Sequence, residues 1–214
     1  MSLSKTLSLT KDDLTKHKGR YLDMEILNIQ TSRLIIRHLE LSDLCDFHFY
    51  RSNPDVTKYQ GFDVMTIEQA EEFIKINSAK HFGKAGEWVQ YGIENIEKKQ
   101  LIGDCAIKLD QFDTRIASIG ITISHFEQNK GFAKEALLGI LTFLFDTKKL
   151  HRVVEIVDEE NIASINLLKS VGFKQEGHFI ENIFFNGKWG NEFQYAMLKR
   201  EWDDRNTKKK LIDI

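Results

Sequence analysis

The sequence has a single proline, Pro54, and only two cysteines, Cys45 and Cys105. So little proline excludes a polyproline spacer or a Pro-rich low-complexity arm. Two cysteines exclude a disulfide scaffold. They fall on an expected helix and an expected strand, where reduced, buried thiols fit. No Cys, His and carboxylate cluster stands at ligand spacing, so no metal is expected. Neither sign of charge is in excess: 30 Lys and Arg against 32 Asp and Glu leave −2. That balance lacks the basic field of a general nucleic-acid binder. No apolar run reaches bilayer length, and Met1-Ser2-Leu3-Ser4-Lys5 lacks the apolar core of a signal peptide. The expectation is a cytoplasmic protein, monomer or homodimer, that binds neither membrane nor nucleic acid.

What remains is an ordinary globular composition, 42% hydrophobic and 29% charged over 214 residues, enough for one domain with tails. Residues 1–24 read as a polar extension in which Thr10 caps a short helix to Lys18. The domain spans 25–202, and 203–214 is a charged tail. Arg33 to Leu39 alternates into a first strand, Ser42 caps a helix to about Tyr50, and Pro54 belongs to the following turn. Thr66 and Gln69 make a capping box for a helix to about Asn77. From Glu87 the period becomes two. Trp88–Ile93, Leu101–Leu109 and Ala117–Ser124 read as an antiparallel meander with turns at Glu97-Lys98-Lys99 and Gln111-Phe112-Asp113. A helix over Gly131–Lys149, a strand over Arg152–Val157 and a helix over Asn161–Ser170 closed by Gly172 follow. Gly177–Phe185 and Glu192–Leu198 then pair across Asn186-Gly187-Lys188. The element order predicts an α/β mixed sheet with helices on both faces.

The chain is organised around Gln128-Asn129-Lys130-Gly131-Phe132-Ala133, where the strand over Ala117–Ile123 turns through a glycine into a helix. Backbone N–H groups at such a start point one way and, with the helix dipole, can cradle a pyrophosphate. Gly131 lets a phosphate approach the backbone, and Lys130 adds a mobile positive charge. The hexapeptide alone is also compatible with ordinary loop chemistry. It is neither the three-glycine dinucleotide fingerprint nor a P-loop.

Two further features give it meaning. Asn161-Ile162-Ala163-Ser164 follows about thirty residues later, and Gly172-Phe173 stands eleven residues after Asn161. Together with the strand before Gln128, these resemble the acetyl-CoA-binding core of the GNAT superfamily of N-acetyltransferases. Thr31-Ser32-Arg33-Leu34-Ile35-Ile36-Arg37, Arg51-Ser52-Asn53-Pro54-Asp55-Val56, Glu176-Gly177 and Asn186-Gly187-Lys188-Trp189 look like the RimJ/RimL-like branch, which acetylates ribosomal-protein N-termini. The likeness covers Leu27–Trp202. It implies a mostly antiparallel sheet splayed between its fourth and fifth strands, with the pantetheine arm of acetyl-CoA between them. On that model the backbone of Ile121, Thr122 and Ile123 receives the pantetheine amides. Backbone groups along Gln128, Asn129, Lys130, Gly131, Phe132 and Ala133 hold the pyrophosphate. Asn161 reaches the pantetheine or phosphate region, and Lys169 lies near the nucleotide.

Acetyl transfer to an amine needs a route for the amine proton, a donor to the oxyanion and an acid for the departing thiolate. Many members carry a tyrosine acid where this chain has Leu168. The resemblance to the Rim branch assigns that role to Ser164, which is otherwise a first-turn polar residue of a helix capped by Asn161. The oxyanion donor is expected to be a backbone N–H near Ile123. For the proton, the branch's Ala-Glu-Ile-Gly reads Ala117-Ser118-Ile119-Gly120 here, and a glutamate used by some members aligns with Ile183. Glu181, two residues earlier and expected on the same strand face, is the preferred carboxylate, and a water relay through His125 is the alternative. Trp88, Tyr91, Phe184 and Trp189 are candidate groove aromatics. At neutral pH, freeing an α-amine costs about 1 kcal/mol and freeing a lysine-like amine about 4.6 kcal/mol. Without an obvious strong base, the α-amine of a protein N-terminus is the expected acceptor. A polyamine or aminoglycoside acceptor, or a non-catalytic CoA-binding module, are the alternatives.

Overall fold

The three strands read from period-two alternation form the middle of the sheet. In a computed structural model describing residues 27–60, 64–185 and 187–212, the order along the chain is β1 (Ile29–Gln30), β2 (Leu34–His38), α1 (Leu44–Arg51), α2 (Pro54–Thr57), α3 (Ile67–Ser78), β3 (Trp88–Asn95), β4 (Gln100–Leu109) and β5 (Ile116–Ile123). Then come α4 (Phe132–Thr142), β6 (Arg152–Asp158), α5 (Ile162–Val171), β7 (Lys174–Phe185), β8 (Lys188–Leu198) and α6 (Lys199–Ile212). The spatial order is β1-β2-β3-β4-β5-β6-β8-β7. Every neighbouring pair is antiparallel except β5 and β6. The two-residue β1 shifts the count, so the fourth and fifth strands of the sequence reading are β5 and β6. The expected helix over Thr10–Lys18 lies outside the described residues.

Alternation on the strands supplies two cores. Ala117, Ile119 and Ile123 of β5 pack with Ala136, Leu137 and Ile140 of α4 and with Ile165 and Leu168 of α5 in the main core. Leu39, Phe47, Tyr50, Ala70, Ile74 and Leu101 form a smaller core under α1 and α3 on the opposite face. Each buried Leu, Ile or Phe contributes about 1.5–3 kcal/mol, so the larger cluster fixes the sheet and the smaller one fixes the helices that roof its other face.

Local chemistry sets the ends. Thr66 and Gln69 form the capping box of α3, each accepting the other's backbone N–H. Two other local expectations differ. Ser42 does not cap α1: a short 3-10 turn, Leu41–Asp43, precedes it, with Glu40 and Asp43 forming the box. A longer acidic side chain outcompetes the hydroxyl because it reaches back to the cap N–H. Pro54 is not a turn residue but the first residue of α2, where its missing N–H costs nothing and Asn53 caps. Cys105 is buried, whereas Cys45 is exposed and so departs from the expected buried thiol. Burial pushes the Cys105 thiol well above its usual range. Strand β7 carries two register shifts, between Gln175 and Gly177 and between Phe179 and Ile183.

Candidate active site

Strands β5 and β6 pair for only three residues, Ile116–Ser118 against Arg152–Val154. Beyond Ser118 and Val154 they diverge toward their carboxyl ends, so a wedge opens between Ile119–Ile123 and Glu155–Asp158. Both following loops sit at its mouth: Gln128 to Gly131 after β5, and Asn161 after β6. A groove of about 560 Å³ runs through this wedge.

At the mouth, Gly131 is the N-cap of α4 with φ 81°, and no side chain caps the helix. Asn129 is also left-handed, at φ 61°. Left-handed turns ahead of uncapped N–H groups form an anion-binding concavity, which an L side chain at Gly131 would strain. Lys130 sits at this turn, but its ammonium pairs with Glu127 at 3.1 Å. Gln128 turns inward and donates to the Ile123 carbonyl at 3.1 Å. Phe132 is buried, and Ala133 packs against the main core. Sequence reading missed Arg33, whose guanidinium donates to the Lys130 carbonyl at 3.2 Å and lies over the Phe132 ring. It is held there by Glu135. Burial pushes the Glu135 carboxyl upward, but hydrogen bonds from Thr31, Arg33 and Ser32 outweigh burial and hold it at about 2. Arg33 and Gly131 are 98 positions apart, so no local pattern links them.

One wall of the groove belongs to β3–β5 and the helices above them. Asp104 of β4 is fully buried and accepts hydrogen bonds from Tyr50 Oη at 2.7 Å, Arg51 Nε at 3.0 Å, Arg51 Nη2 and Gln90 Nε2. Gln60 links this network to β5 by donating to Thr122 Oγ1 at 2.7 Å. Burial, then the Asp104 charge, pushes the Tyr50 phenol well up, so it stays a donor. Trp88, half-exposed, stands at the rim.

The other wall is β6, the start of α5, and β7–β8. Asn161 Oδ1 caps α5 by accepting the Ser164 N–H at 3.2 Å. The Ser164 hydroxyl borders the groove and has no partner among the described residues. Ile121 and Thr122 line the groove, as does Ile183. The residue that the sequence reading passed over is Glu155. It is 6% exposed and lines the groove, and its Oε2 has no hydrogen-bond partner among the described residues. Burial alone pushes this carboxyl up to about 8. The available signal was its parity: it shares a strand face with Val153 and Val157, both buried. Asp158 and Glu192 also line this wall, and neither forms an ion pair among the described residues.

The remaining candidates lie elsewhere. Glu181 was expected on the face of Ile183, but the bulge between Phe179 and Ile183 breaks the alternation. Glu181 takes φ 50° there, its side chain is exposed, and its N–H is bound by Asn191 Oδ1 at 2.8 Å. His125 stacks on Phe49 and lies tilted against Phe126, with ring centroids 5.2 and 4.2 Å away, outside the groove lining. Lys169 is exposed, eight residues along α5 from Asn161, about 12 Å by helical rise. Tyr91 is buried in the main core, and Phe184 and Trp189 form an exposed edge-to-face pair on the β7–β8 hairpin.

Residues 33–174 match the family model of the acetyltransferase (GNAT) domain. The chain is 32% identical over 177 residues to the N-acetyltransferase YnaD of Bacillus subtilis, covering 83% of this chain and all of the relative. It is 23% identical over 129 residues to the Escherichia coli [ribosomal protein uS5]-alanine N-acetyltransferase, 60% of this chain and 66% of that one. A Bacillus anthracis acetyltransferase of the GNAT family superposes with TM-score 0.74 at 29% identity, covering 82% of this chain and 100% of that one. The Vibrio cholerae spermidine N-acetyltransferase, solved in complex with CoA and spermine, superposes with TM-score 0.68 at 25% identity, covering 80% and 99%.

Proposed function

This chain belongs to the GNAT acetyltransferase family and is an acetyl-CoA-dependent N-acetyltransferase; on that premise we propose that its acceptor is a small primary amine with further positive charge, of the polyamine class. The pyrophosphate is held by the uncapped N–H groups of Phe132 and Ala133 behind Gly131, with Arg33 beside them. The pantetheine arm lies in the wedge against Ile121–Ile123. The Ser164 hydroxyl, free to turn, donates a hydrogen bond to the departing sulfur.

The observation that carries the acceptor class is the charge of the two walls. On the β3–β5 wall, the Arg51 guanidinium is matched by Asp104. On the other, Asp158 and Glu192 line the groove with no ion pair among the described residues, while Lys80, which also lines it, pairs with Glu87 at 3.9 Å. Unpaired carboxylates in a partly enclosed groove favour a cationic occupant and concentrate it there. Likeness to the spermidine acetyltransferase supports the same reading.

A second reading keeps the protein N-terminal α-amine of the RimJ/RimL type. Likeness to the uS5-alanine enzyme supports it, as does the lower cost of freeing an α-amine. CoA release measured with spermidine, an Ala-initiated peptide and an aminoglycoside separates the two. We expect kcat/KM to be highest for spermidine and to fall steeply with added salt. A peptide used more efficiently than spermidine at every salt concentration sinks the polyamine reading. Release of CoA with none of the three counts against both.

A further inference from the structure

The wedge has a direction. Its mouth holds the Gly131 and Asn161 turns, and its apex is the last β5–β6 pair, Ser118 against Val154. Glu155 is the next residue after that pair. An acyl group carried in from the phosphate end therefore arrives at the apex, against the Glu155 side chain. Burying a carboxyl with one oxygen unbonded costs free energy, so its presence at the apex calls for a functional explanation.

We propose that Glu155 is the proton-carrying group of acetyl transfer, passing the proton of the attacking amine to the departing sulfur. This rests on the acetyltransferase reading of the same site. The amine enters as the free base. Its nitrogen attacks the thioester carbon, forming the C–N bond, and Glu155 takes the nitrogen's proton. The C–S bond then breaks with its electron pair going to sulfur, and the same carboxyl returns the proton to the thiolate. No proton is gained or lost by the protein over the cycle. A carboxyl near 8 lies close to a thiol's ordinary range of about 8.5, which suits exchange with sulfur far better than a serine hydroxyl does.

The groups that face Glu155 allow this assignment. Across the strand pair on β8 stands Tyr195, whose hydroxyl is turned to Gln175 at 3.2 Å. The groove lining from α5 and its cap is Ser164 and Asn161, and from β5 it is Ile119, Gly120, Ile121 and Thr122, none of them titratable. Of the charged groove residues, Arg51 and Asp104 are mutually paired, while Lys80, Asp158 and Glu192 share the groove with Glu155 but form no bond with it.

The test is Glu155→Gln in the full chain, with spermidine and an Ala-initiated peptide as probes. We expect kcat to fall about 10²-fold, the rise in melting temperature given by acetyl-CoA to be retained, and the inflection of kcat near pH 8 to disappear. Wild-type kcat in the variant, or a loss explained by weaker acetyl-CoA binding, overturns the proposal. A second measurement needs no acceptor. The ¹³C signal of the Glu155 carboxyl, assigned by its absence in Glu155→Gln, should differ between the CoA and acetyl-CoA complexes. A signal identical in both also overturns the proposal. If wild type turns over neither probe and acetyl-CoA gives no stabilisation, the failure lies with the acetyltransferase reading itself.

Discussion

Asp104 and Glu155 are both buried carboxylates on one groove, and their surroundings are opposite. Asp104 accepts from Tyr50, Arg51 and Gln90, while Glu155 has an oxygen with no partner. The first is committed: its ionised form is matched, and it ties α1 to β3 and β4. The second retains the capacity to gain and lose a proton, because nothing but solvent exclusion acts on it. A saturated carboxylate shapes a wall, and an unsaturated one is available for chemistry. Glu135 belongs with Asp104: its hydrogen bonds fix Arg33 beside the Gly131 turn.

The largest effect should come from breaking the committed side. Asp104→Asn keeps the shape but removes the buried carboxylate charge to which Arg51 is paired. Removing one partner of a buried pair costs about 3–5 kcal/mol, a large share of a typical stability of about 5–15 kcal/mol. Urea midpoints measure it. A loss below about 1 kcal/mol would mean that water or Gln60 replaces the carboxylate, and the contrast with Glu155 would collapse.

The next effect sharpens the other side. An acid whose pKa is raised on folding, here from 4.5 to about 8, binds more protons folded than unfolded between those values. Stability should therefore fall as pH rises from about 4.5 to about 8 and flatten above. Each tenfold displacement of the constant is worth about 1.4 kcal/mol. Because the groove admits water, the whole effect should be on the order of 2–3 kcal/mol. Glu155→Gln should remove this slope. His38 slopes the other way in the acid range, since burial, and then His81, lowers its pKa. The quantity to read is accordingly the difference between wild type and variant across pH 5 to 9. A difference constant with pH would mean that Glu155 titrates normally.

The contrast also marks where the sequence could and could not be read. The Thr66–Gln69 box, the β3–β5 meander, the Gly131 turn and the helix from Asn161 to Gly172 are all set by residues within a few positions of one another. Periodicity and cap chemistry therefore reveal them. The mixed sheet follows from the order of those elements, and its splay from the family likeness that the same residues carry. The Asp104–Arg51 pair spans 53 positions, and the Arg33 seat beside Gly131 spans 98, so both exist only once the sheet has formed. Glu155 sits inside the run Val153 to Val157. It reads as part of a strand, because the burial of a single acid depends on non-local packing, with Tyr195 of β8 beside it in the sheet. Glu181 failed as a face argument for a similar reason: alternation holds only while register holds, and β7 shifts register there.

The smallest effect concerns Ser164, the groove's other unbonded polar group. Its N–H helps to close the Asn161 cap, but its hydroxyl bonds nothing in the described structure. Ser164→Ala should therefore change stability by less than about 0.5 kcal/mol, the usual range for a change that removes no packing or capping contact. By contrast, Asn161→Ala removes the cap itself and should cost about 1 kcal/mol. On turnover, Ser164→Ala should cost about tenfold, near 1.4 kcal/mol, because a hydroxyl that only hydrogen-bonds the departing sulfur shares the charge without carrying the proton. Parallel measurement of kcat and urea midpoint on one preparation checks both numbers. A loss for Ser164→Ala that exceeds the loss for Glu155→Gln would reverse the ranking. It would make the serine the principal acid and leave Glu155 as a buried charge that the fold merely tolerates.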